Sequence, residues 1–376
     1  MRIAINTRFL LKDKLEGIGW YTYQVAKRLV EQYPEHTFIF LFDRPYAETF
    51  IFGDNVMPVV LAPPARHPIL FTIWFEWSVV RALKKYKADV FLSTDNFCAL
   101  RTKVPTVLVT HDLAFLHFPE QVSRINLAYY RYFTHRFLQK ANQIVSVSEA
   151  TRQDIRENYP IVKAPIYISG NGCRDMFRPL EQQEKEAVKA KYTDGKDYFF
   201  YIGAVHPRKN VNRLIVAFSA FKKSTRSEVK LLIGGRLAWQ TGVVKEVYEV
   251  SDYQEDIQFL GYVEDEELPR LLGAALGLTY VSLFEGFGVP LLEAMYAEVP
   301  VLTSNVSSMP EVVGEAAILI DPKRVEAIKS GMIRIYEDEK LRTGLIEKGS
   351  VQRQRYSWER AAEVVYEAIE AAALGT

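Results

Sequence analysis

The chain has 376 residues, of which 48% are hydrophobic and 25% are charged, and its formal net charge is +1. This length exceeds one ordinary core and predicts two α/β domains of roughly 150 residues or more each. The near-zero charge excludes a global field that would attract nucleic acid, so we expect no nucleic-acid partner and expect any anion to be bound by local groups.

The cysteines and the amino-terminal residues indicate a cellular compartment. Cys98 and Cys173 are the only cysteines, and they lie in separate segments without metal-ligand spacing, which favours two free thiols over a disulfide. Polar residues 6–8 interrupt the first apolar run before a signal-peptide core forms. No apolar stretch reaches the roughly 18 residues of a membrane-spanning helix. These features predict a cytoplasmic protein.

Short apolar runs alternate with amphipathic stretches through the first half of the chain, a pattern typical of a parallel sheet covered by helices on both faces. The predicted strands are 2–7, 37–42, 55–61, 88–93, 105–110, 143–148 and, less distinctly, 166–168. The predicted helices are 18–32, 71–85, 125–140 and 149–158.

A second alternating set begins after the turn-rich residues 170–172 and 178–179. Its predicted strands are 198–203, 229–234, 257–260, 276–281, 299–303 and 317–320. We interpret the polar segment 181–196 as a linker with a solvated helix. The pattern predicts a Rossmann-like domain at 1–178, a second at 179–355, and a helix within 356–376 that packs back on the first. Ligands are expected in a central cleft, at the carboxyl ends of the strands.

The residues from Glu285 to Glu293 form the most informative motif. The motif follows a predicted strand and opens a helix, with Pro290 suited to the first turn. Gly286 and Gly288 allow a ligand to approach the backbone, and the helix N-terminus favours an anion such as a diphosphate. One glutamate precedes the helix, and the other is predicted in its first turn, where both carboxylates could accept hydrogen bonds from hydroxyl groups. A plain helix cap remains the alternative.

Two adjacent cations follow the first strand of the second set. Arg208 and Lys209 lie just before a helix predicted to begin near Val211. They are suited to face a diphosphate, Arg208 through two parallel hydrogen bonds and Lys209 as a point charge. A solvated surface pair is the alternative interpretation.

The first domain offers two further candidates. Gly17 and Gly19 follow the first strand at a helix start, but no third glycine completes a dinucleotide-binding motif. His111, beside Asp112, ends another strand, where it can contact a sugar hydroxyl, shuttle a proton or be purely structural.

In these motifs the chain resembles the retaining family-4 glycosyltransferases of the two-domain GT-B fold, over nearly its whole length. The Pro207-Arg208-Lys209-Asn210 run is similar to a subgroup that often transfers mannose. The matching residues are 17–19, 111–112, 146–149, 171–172, 207–210, 261–263, 285–293 (the Glu-x7-Glu motif), 307–311 and Trp358.

The resemblance implies roles in the second domain. Glu285 would contact the donor sugar, and the backbone of Phe287, Gly288 and Val289 would hold phosphate or sugar. Glu293 would bind the nucleotide ribose. Arg208 and Lys209 would neutralise the diphosphate.

It also implies that the backbone of Tyr262 and Val263 lines the base pocket, that Gly19, with Gly17 beside it in the loop, approaches the diphosphate, and that His111 approaches the transferred sugar. Many relatives carry an arginine where this chain has Ala204, which places more of the positive charge on Arg208 and Lys209.

Two other features need an interpretation. The acidic run 264–266 suits a helix start better than a metal site, and we expect no cofactor and no required metal. The aromatic and basic segments 71–87 and 125–140 are predicted either to pack in the core or to contact the inner face of a membrane.

The predicted function is retaining transfer of a hexose, with GDP-mannose as first choice, to a glycan or lipid-linked glycan in polysaccharide biosynthesis. The alternatives are a UDP-glucose or other UDP-hexose donor, a sugar-nucleotide 2-epimerase or phosphorylase, a nicotinamide oxidoreductase, and a catalytically silent carbohydrate-binding relative.

Overall fold

The computed structural model describes residues 1–12, 15–65, 67–236 and 242–375. The chain divides into two compact units. Unit 1 comprises Met1–Gly172 together with Tyr356–Thr376, and unit 2 comprises Cys173–Arg355.

The apolar runs of unit 1 form one parallel sheet. Its strands are β1 (Arg2–Asn6), β2 (Thr37–Phe42), β3 (Val56–Val60), β4 (Val90–Ser93), β5 (Thr106–Thr110), β6 (Gln143–Ser146) and β7 (Ile166–Ile168). Within the described residues the order is β3-β2-β1-β4-β5-β6-β7. Runs without polar alternation are expected where both faces are covered, and Phe38–Phe42 are accordingly at most 1% exposed.

Helices connect the strands of unit 1. They are α1 (Gly17–Gln32), α2 (Pro68–Ile73), α3 (Val80–Lys85), α4 (Ala114–His117), α5 (Arg124–Lys140) and α6 (Glu149–Asn158). A π-helical segment, Trp74–Val79, joins α2 to α3, so the predicted helix 71–85 is one helical path with a wider turn inside it. Serine side chains cap two of these helices: Ser123 accepts from Asn126 at α5, and Ser148 accepts from Thr151 at α6.

The second set of apolar runs forms the sheet of unit 2. Its strands are β8 (Tyr198–Ile202), β9 (Lys230–Gly234), β10 (Ile257–Gly261), β11 (Gly277–Tyr280), β12 (Val301–Ser304) and β13 (Ala317–Ile320). Among the described residues the order is β10-β9-β8-β11-β12-β13, with every pairing parallel. The strand order reverses between β8 and β11, the place where ligands bind in sheets of this type.

The helices of unit 2 cover its sheet. They are α7 (Gln182–Thr193), α8 (Val211–Thr225), α9 (Gly242–Glu249), α10 (Leu268–Gly273), α11 (Val289–Tyr296), α12 (Met309–Val313), α13 (Val325–Glu337) and α14 (Glu339–Gln352). The segment 181–196, predicted to be a linker with a solvated helix, contains α7, and this helix is part of unit 2. A capping box of Glu181 and Glu184 begins α7, and Val188 is buried.

The last helix, α15 (Trp358–Leu374), belongs to unit 1 and packs against α1. The ring of Tyr366 stacks on Tyr33 with centroids 3.5 Å apart, and its hydroxyl lies 2.8 Å from Nε2 of His36. Arg28 of α1 donates to Glu359 at 2.7 Å. The alanine-rich face of the helix therefore lies in the core of unit 1, and polar contacts near its start and at its middle fix it on α1 and on His36, which follows α1.

Unit 1 ends at Gly172, a few residues before the predicted limit near 178. The reason is local, since Arg174 already pairs with Glu293 and Asp265 of unit 2. In the portion of the chain that the structure describes, no helix has both the length and the hydropathy that a bilayer crossing requires.

Candidate functional site

The carboxyl ends of β8 and β11 place the two chemical motifs of unit 2 side by side. A short 3-10 turn, Pro207–Lys209, follows β8. Asn210 adopts a left-handed conformation with φ of 63°, which asparagine tolerates better than most residues. Its buried amide donates to the carbonyls of Val281, at 3.0 Å, and Pro322, at 2.8 Å. Asn210, whose role was not predicted, therefore fixes the cationic turn against the end of β11.

Arg208 and Lys209 converge on the first glutamate of the motif. Nζ of Lys209 donates to Oε1 of Glu285 at 2.6 Å and to the hydroxyl of Tyr280 at 3.0 Å. Nη1 of Arg208 donates to the carbonyl of Phe284 at 2.7 Å and lies 3.5 Å from Oε2 of Glu285. The two cations are therefore not the solvated surface pair of the alternative interpretation but part of a charged cluster at the reversal point of the sheet.

The charges of this cluster keep Glu285 ionised. Burial by itself would raise the pKa of Glu285, which is only 6% exposed, but the charges of Lys209 and Arg208 outweigh it and hold the pKa below its ordinary value. Burial, followed by the charge of Glu285, raises the pKa of Tyr280 well above its ordinary value, so this hydroxyl stays protonated. The cluster thus presents a fixed carboxylate and two cations at neutral pH.

The start of α11 adjoins this cluster. Gly288 has φ of 98°, a conformation that favours glycine, and the helix begins at Val289 with Pro290 in its first turn. Oγ of Ser308 donates to the carbonyls of Glu285, at 3.0 Å, and Phe287, at 2.9 Å. Ser308 therefore fixes the loop that precedes α11, and the positive end of the helix dipole favours an anion at this start.

The second glutamate lies farther along α11 than expected. Glu293 is the fifth residue of the helix, so its predicted place in the first turn is wrong, because the helix begins only after the left-handed Gly288. Arg174 donates from Nη2, at 3.0 Å, and from Nε, at 3.2 Å, to Oε1 of Glu293. Nη1 of Arg174 donates to Asp265 at 2.6 Å. This ion pair was not predicted, because no local pattern links residues that are 119 positions apart.

The predicted base-pocket residues follow β10. Gly261 has φ of 69°, and the Tyr262 side chain after it is about half exposed, at 50%. Val263 packs closely on Gly234 of β9: a Cβ added to Gly234 would lie 2.9 Å from Cγ2 of Val263. The Tyr262 backbone therefore lies at the carboxyl end of the sheet, as the cationic turn does.

The glycines predicted to approach the donor lie in unit 1, at the start of α1. Gly17 has φ of 22°, with open space where a Cβ would stand. A Cβ on Gly19 would lie 2.8 Å from the carbonyl oxygen of Phe9. A glycine is therefore needed at position 19 within unit 1 itself, because the backbone that follows β1 passes too close for a side chain.

His111 follows β5 in unit 1. Its Nε2 lies 2.8 Å from the carbonyl oxygen of Thr94, and its ring meets the ring of Tyr21 edge to face at 5.0 Å. A carbonyl only accepts, so Nε2 carries the hydrogen, and Nδ1 of the neutral ring is an acceptor. Burial lowers the pKa of His111, although the Thr94 carbonyl and the charge of Asp112 oppose this shift.

We expect His111 to remain neutral at pH 7, with the hydrogen on Nε2, because burial disfavours its charged form. NMR of the protein with isotopically labelled histidine would measure this, and His111→Gln would assign the resonance. The ring should titrate below the ordinary value of 6.5. A ring still charged at pH 7 would contradict the assignment.

A buried ion pair at the carboxyl ends of β1 and β4 was not predicted. Nε of Arg8 donates to Asp95, and both side chains are buried. The guanidinium lies within 5.6 Å of the ring centroids of four phenylalanines, among them Phe71 at 4.9 Å and Phe97 at 5.1 Å. These rings and Asp95 leave Arg8 little room to bind anything else, so we regard the pair as structural.

The acidic run 264–266 precedes α10, which begins at Leu268. The carbonyl of Glu264 accepts from the N–H groups of Glu267 and Leu268, while Asp265 pairs with Arg174. Over the described ranges, the structure contains no group of three His, Cys, Asp or Glu residues that could hold a metal ion.

The structure thus gathers one set of the predicted site residues at the carboxyl end of the unit 2 sheet. Arg208, Lys209 and Glu285 are in direct contact, and residues 287–289 lead into the adjoining helix α11. Glu293 belongs to a separate pair on the same helix. Gly17, Gly19 and His111 lie in unit 1.

Comparison with known proteins gives the family. Residues 15–174 match the family described as Glycosyltransferase Family 4, and residues 182–352 match Glycosyl transferases group 1. O-antigen chain mannosyltransferase B from Escherichia coli is 32% identical over 369 residues, which cover 93% of this chain and 94% of that protein.

Two solved structures share the fold of the whole chain. Sucrose-phosphate synthase from Thermosynechococcus elongatus superposes with a TM-score of 0.79 and 17% identity, over 99% of each chain. Anabaena HepE in complex with UDP-glucose superposes with a TM-score of 0.74 and 17% identity, over 99% of this chain and 100% of that one. The two Rossmann-like units are thus those of the GT-B fold, and the chain belongs to the glycosyltransferases, with a family 4 domain followed by a group 1 domain.

Proposed function

We propose that this glycosyltransferase moves mannose from GDP-mannose, with retention of configuration, to a hydroxyl of a glycan or lipid-linked glycan in polysaccharide biosynthesis. The observation that carries the proposal is the cluster of Lys209, Arg208 and Glu285 beside the start of α11. It offers positive groups for a diphosphate and an ionised carboxylate for sugar hydroxyls.

The cluster can promote departure of the diphosphate. As the bond between the anomeric carbon and the diphosphate oxygen breaks, negative charge grows on that oxygen. Lys209, Arg208 and the N-terminus of α11 stabilise this charge without a metal ion. Glu285 pairs with the two cations and accepts hydrogen bonds from the sugar.

Retention follows if the acceptor attacks from the face that the diphosphate leaves. The acceptor oxygen then forms the new bond to the anomeric carbon, and its proton passes to the departing diphosphate. The products are a nucleoside diphosphate and a glycoside with the donor's anomeric configuration. No protein nucleophile is needed in this scheme.

Two observations favour mannose over glucose. The mannosyltransferase relative covers nearly the whole chain at 32% identity, whereas the HepE complex with UDP-glucose shares only 17%. The second observation is the Pro207–Lys209 turn, whose sequence is similar to that of a subgroup that often transfers mannose. A UDP-hexose donor, a 2-epimerase or phosphorylase activity, and a silent carbohydrate-binding protein remain the alternatives for the assay.

We expect GDP-mannose to raise the melting temperature of the purified protein more than UDP-glucose does, since a ligand that binds the native state stabilises it by mass action. With a defined mannoside as acceptor, proton NMR should then show GDP release and an α-linked product. A larger rise in melting temperature with UDP-glucose would identify UDP-glucose, and not GDP-mannose, as the donor. An inverted product, a free epimer or binding without turnover would contradict the proposed reaction.

A lipid-linked acceptor implies that unit 1 works at the inner face of a membrane. Most of the aromatic run is core, since Trp74 and Phe75 are buried, but Ile69, Ile73 and Trp77 are 65%, 37% and 42% exposed. These three residues recur every four positions along the path from α2 through the π-helical segment. We call them the apolar stripe.

Basic residues border the apolar stripe. Exposed Arg81 lines a shallow groove of about 540 Å³ with Ile73 and Trp77, and the guanidinium of Arg101 lies 5.2 Å from the Trp77 ring centroid. Tryptophan with flanking cations suits the interface of an anionic bilayer.

Replacing Ile73 and Trp77 with serine should therefore reduce sedimentation of the protein with vesicles of phosphatidylglycerol and phosphatidylethanolamine by about tenfold, through loss of apolar burial. Val250→Ser, at an exposed position of unit 2, is the matched control. Equal sedimentation of the double variant and the wild type, or none by the wild type, would exclude this membrane contact.

A further inference from the structure

Arg174 donates hydrogen bonds to one carboxylate oxygen of Glu293, Oε1, and none to the other, Oε2. Both of its contacts with the glutamate, Nη2 at 3.0 Å and Nε at 3.2 Å, reach Oε1. Within the residues that the structure describes, no group donates a hydrogen bond to Oε2. A carboxylate fixed in this way can still accept hydrogen bonds from hydroxyl groups of a ligand.

Arg174 is itself fixed on three sides. Its Nη1 donates to Asp265 at 2.6 Å, and the ring centroid of Phe177 lies 5.0 Å from its Cζ. The three anchors come from the turn before α10, from α11 and from the chain just after Arg174. The guanidinium therefore has one defined orientation, and it passes this orientation to Glu293.

The position of Glu293 on α11 suits contact with the ribose of a bound nucleotide. The helix advances about 6 Å from Val289 to Glu293, close to the distance between a diphosphate and its ribose. Both carboxylates of the motif thus stand along one nucleotide, if its diphosphate lies at the helix start. Burial raises the pKa of Glu293, and the charge of Arg174 opposes this. Loss of Arg174 would therefore favour a protonated carboxyl that accepts hydrogen bonds less well.

We propose that Arg174 is a positioning residue, which orients the Glu293 carboxylate so that its second oxygen accepts the ribose hydroxyls of the donor. This rests on the proposed nucleotide-sugar site of unit 2. It adds an arginine outside the Glu-x7-Glu motif to the recognition of the ribose, and it makes Asp265 the anchor of that arginine.

Calorimetric titration of the full chain with GDP and with 2′,3′-dideoxy-GDP tests this, and UDP with its dideoxy form is the pair to use if UDP binds more tightly. The wild type should prefer the ribose form by about tenfold or more, the value of a hydrogen bond to a charged group. In Arg174→Met the preference should fall to about one, while the affinity for the dideoxy nucleotide changes little. Arg174→Lys, which keeps the charge without the fork, should give an intermediate preference.

A structural role for Arg174 would give a different result. Arg174→Met would then bind GDP and dideoxy-GDP more weakly to the same degree, and this result would overturn the inference. If Arg174→Met does not fold, Arg174→Lys is compared in the same way. A wild type that binds both nucleotides equally overturns the inference and leaves the diphosphate site. A wild type that binds neither overturns both proposals. Glu293→Gln should also abolish the preference, and adding Arg174→Met to it should change nothing further.

Discussion

Lys209→Ala is expected to lower kcat/KM for sugar transfer by about 10²–10³-fold, the range measured when a group that stabilises developing negative charge is removed. Nζ of Lys209 is the nearest cation to Glu285, at 2.6 Å. Without Lys209, the leaving diphosphate lacks a stabilising positive charge, and the Glu285 carboxylate loses the partner that orients it. Initial rates of nucleoside diphosphate release would measure the effect.

Two comparisons make the Lys209 result interpretable. Lys223→Ala, at an exposed position in the last turn of α8, should leave the rate unchanged. Lys209→Arg keeps the charge and should recover part of the rate. Removal of one partner of a buried pair also costs stability, so a melting curve must show that the alanine variant is folded. Near-normal transfer by a folded Lys209→Ala protein would refute the role assigned to this lysine.

Glu285→Gln is expected to separate binding of the nucleotide from transfer of the sugar. The substitution removes the carboxylate that accepts hydrogen bonds from the sugar, so kcat should fall by about 10²-fold or more. It also releases Lys209 and Arg208 from their ion pairs. Calorimetry should therefore show nucleoside diphosphate binding that is unchanged or tighter than in the wild type.

The control for this prediction is Glu315→Gln, an exposed glutamate whose surface pair with Lys348 should have no effect on either quantity. If Glu285→Gln weakened binding of the diphosphate and transfer to the same degree, the carboxylate would act by holding the site together. That result would contradict the predicted separation of nucleotide binding from sugar transfer.

The strands could be predicted because both sheets are covered on two faces. Continuous apolar runs such as 37–42 stand out in such sheets, and the observed strand limits differ by no more than about two residues from the predicted ones. The start of α11 was harder to place. Gly288 and Pro290 indicated the start of α11, but its exact position depends on the left-handed conformation of Gly288, and one residue of error changes the turn that holds Glu293.

Contacts between distant segments could not be predicted in the same way. Arg174 and Glu293 are 119 positions apart, and Arg8 and Asp95 are 87 apart. No local periodicity reports such pairs, because they depend on which strand ends are neighbours in the sheet. The aromatic segment 71–87 presents the same difficulty, since sequence could not say that Trp74 is buried and Trp77 exposed; the π-helical segment that contains both was also not predicted.

A crystal structure of the protein with GDP-mannose would test the central claim most directly, namely that unit 2 holds the donor through the start of α11 and the cationic turn after β8. We predict the diphosphate within hydrogen-bonding distance of Lys209 Nζ and the backbone of 287–289, with mannose hydroxyls on Glu285 and the ribose on Oε2 of Glu293. A diphosphate bound away from Lys209, or a donor that leaves both glutamates without contact, would contradict this claim.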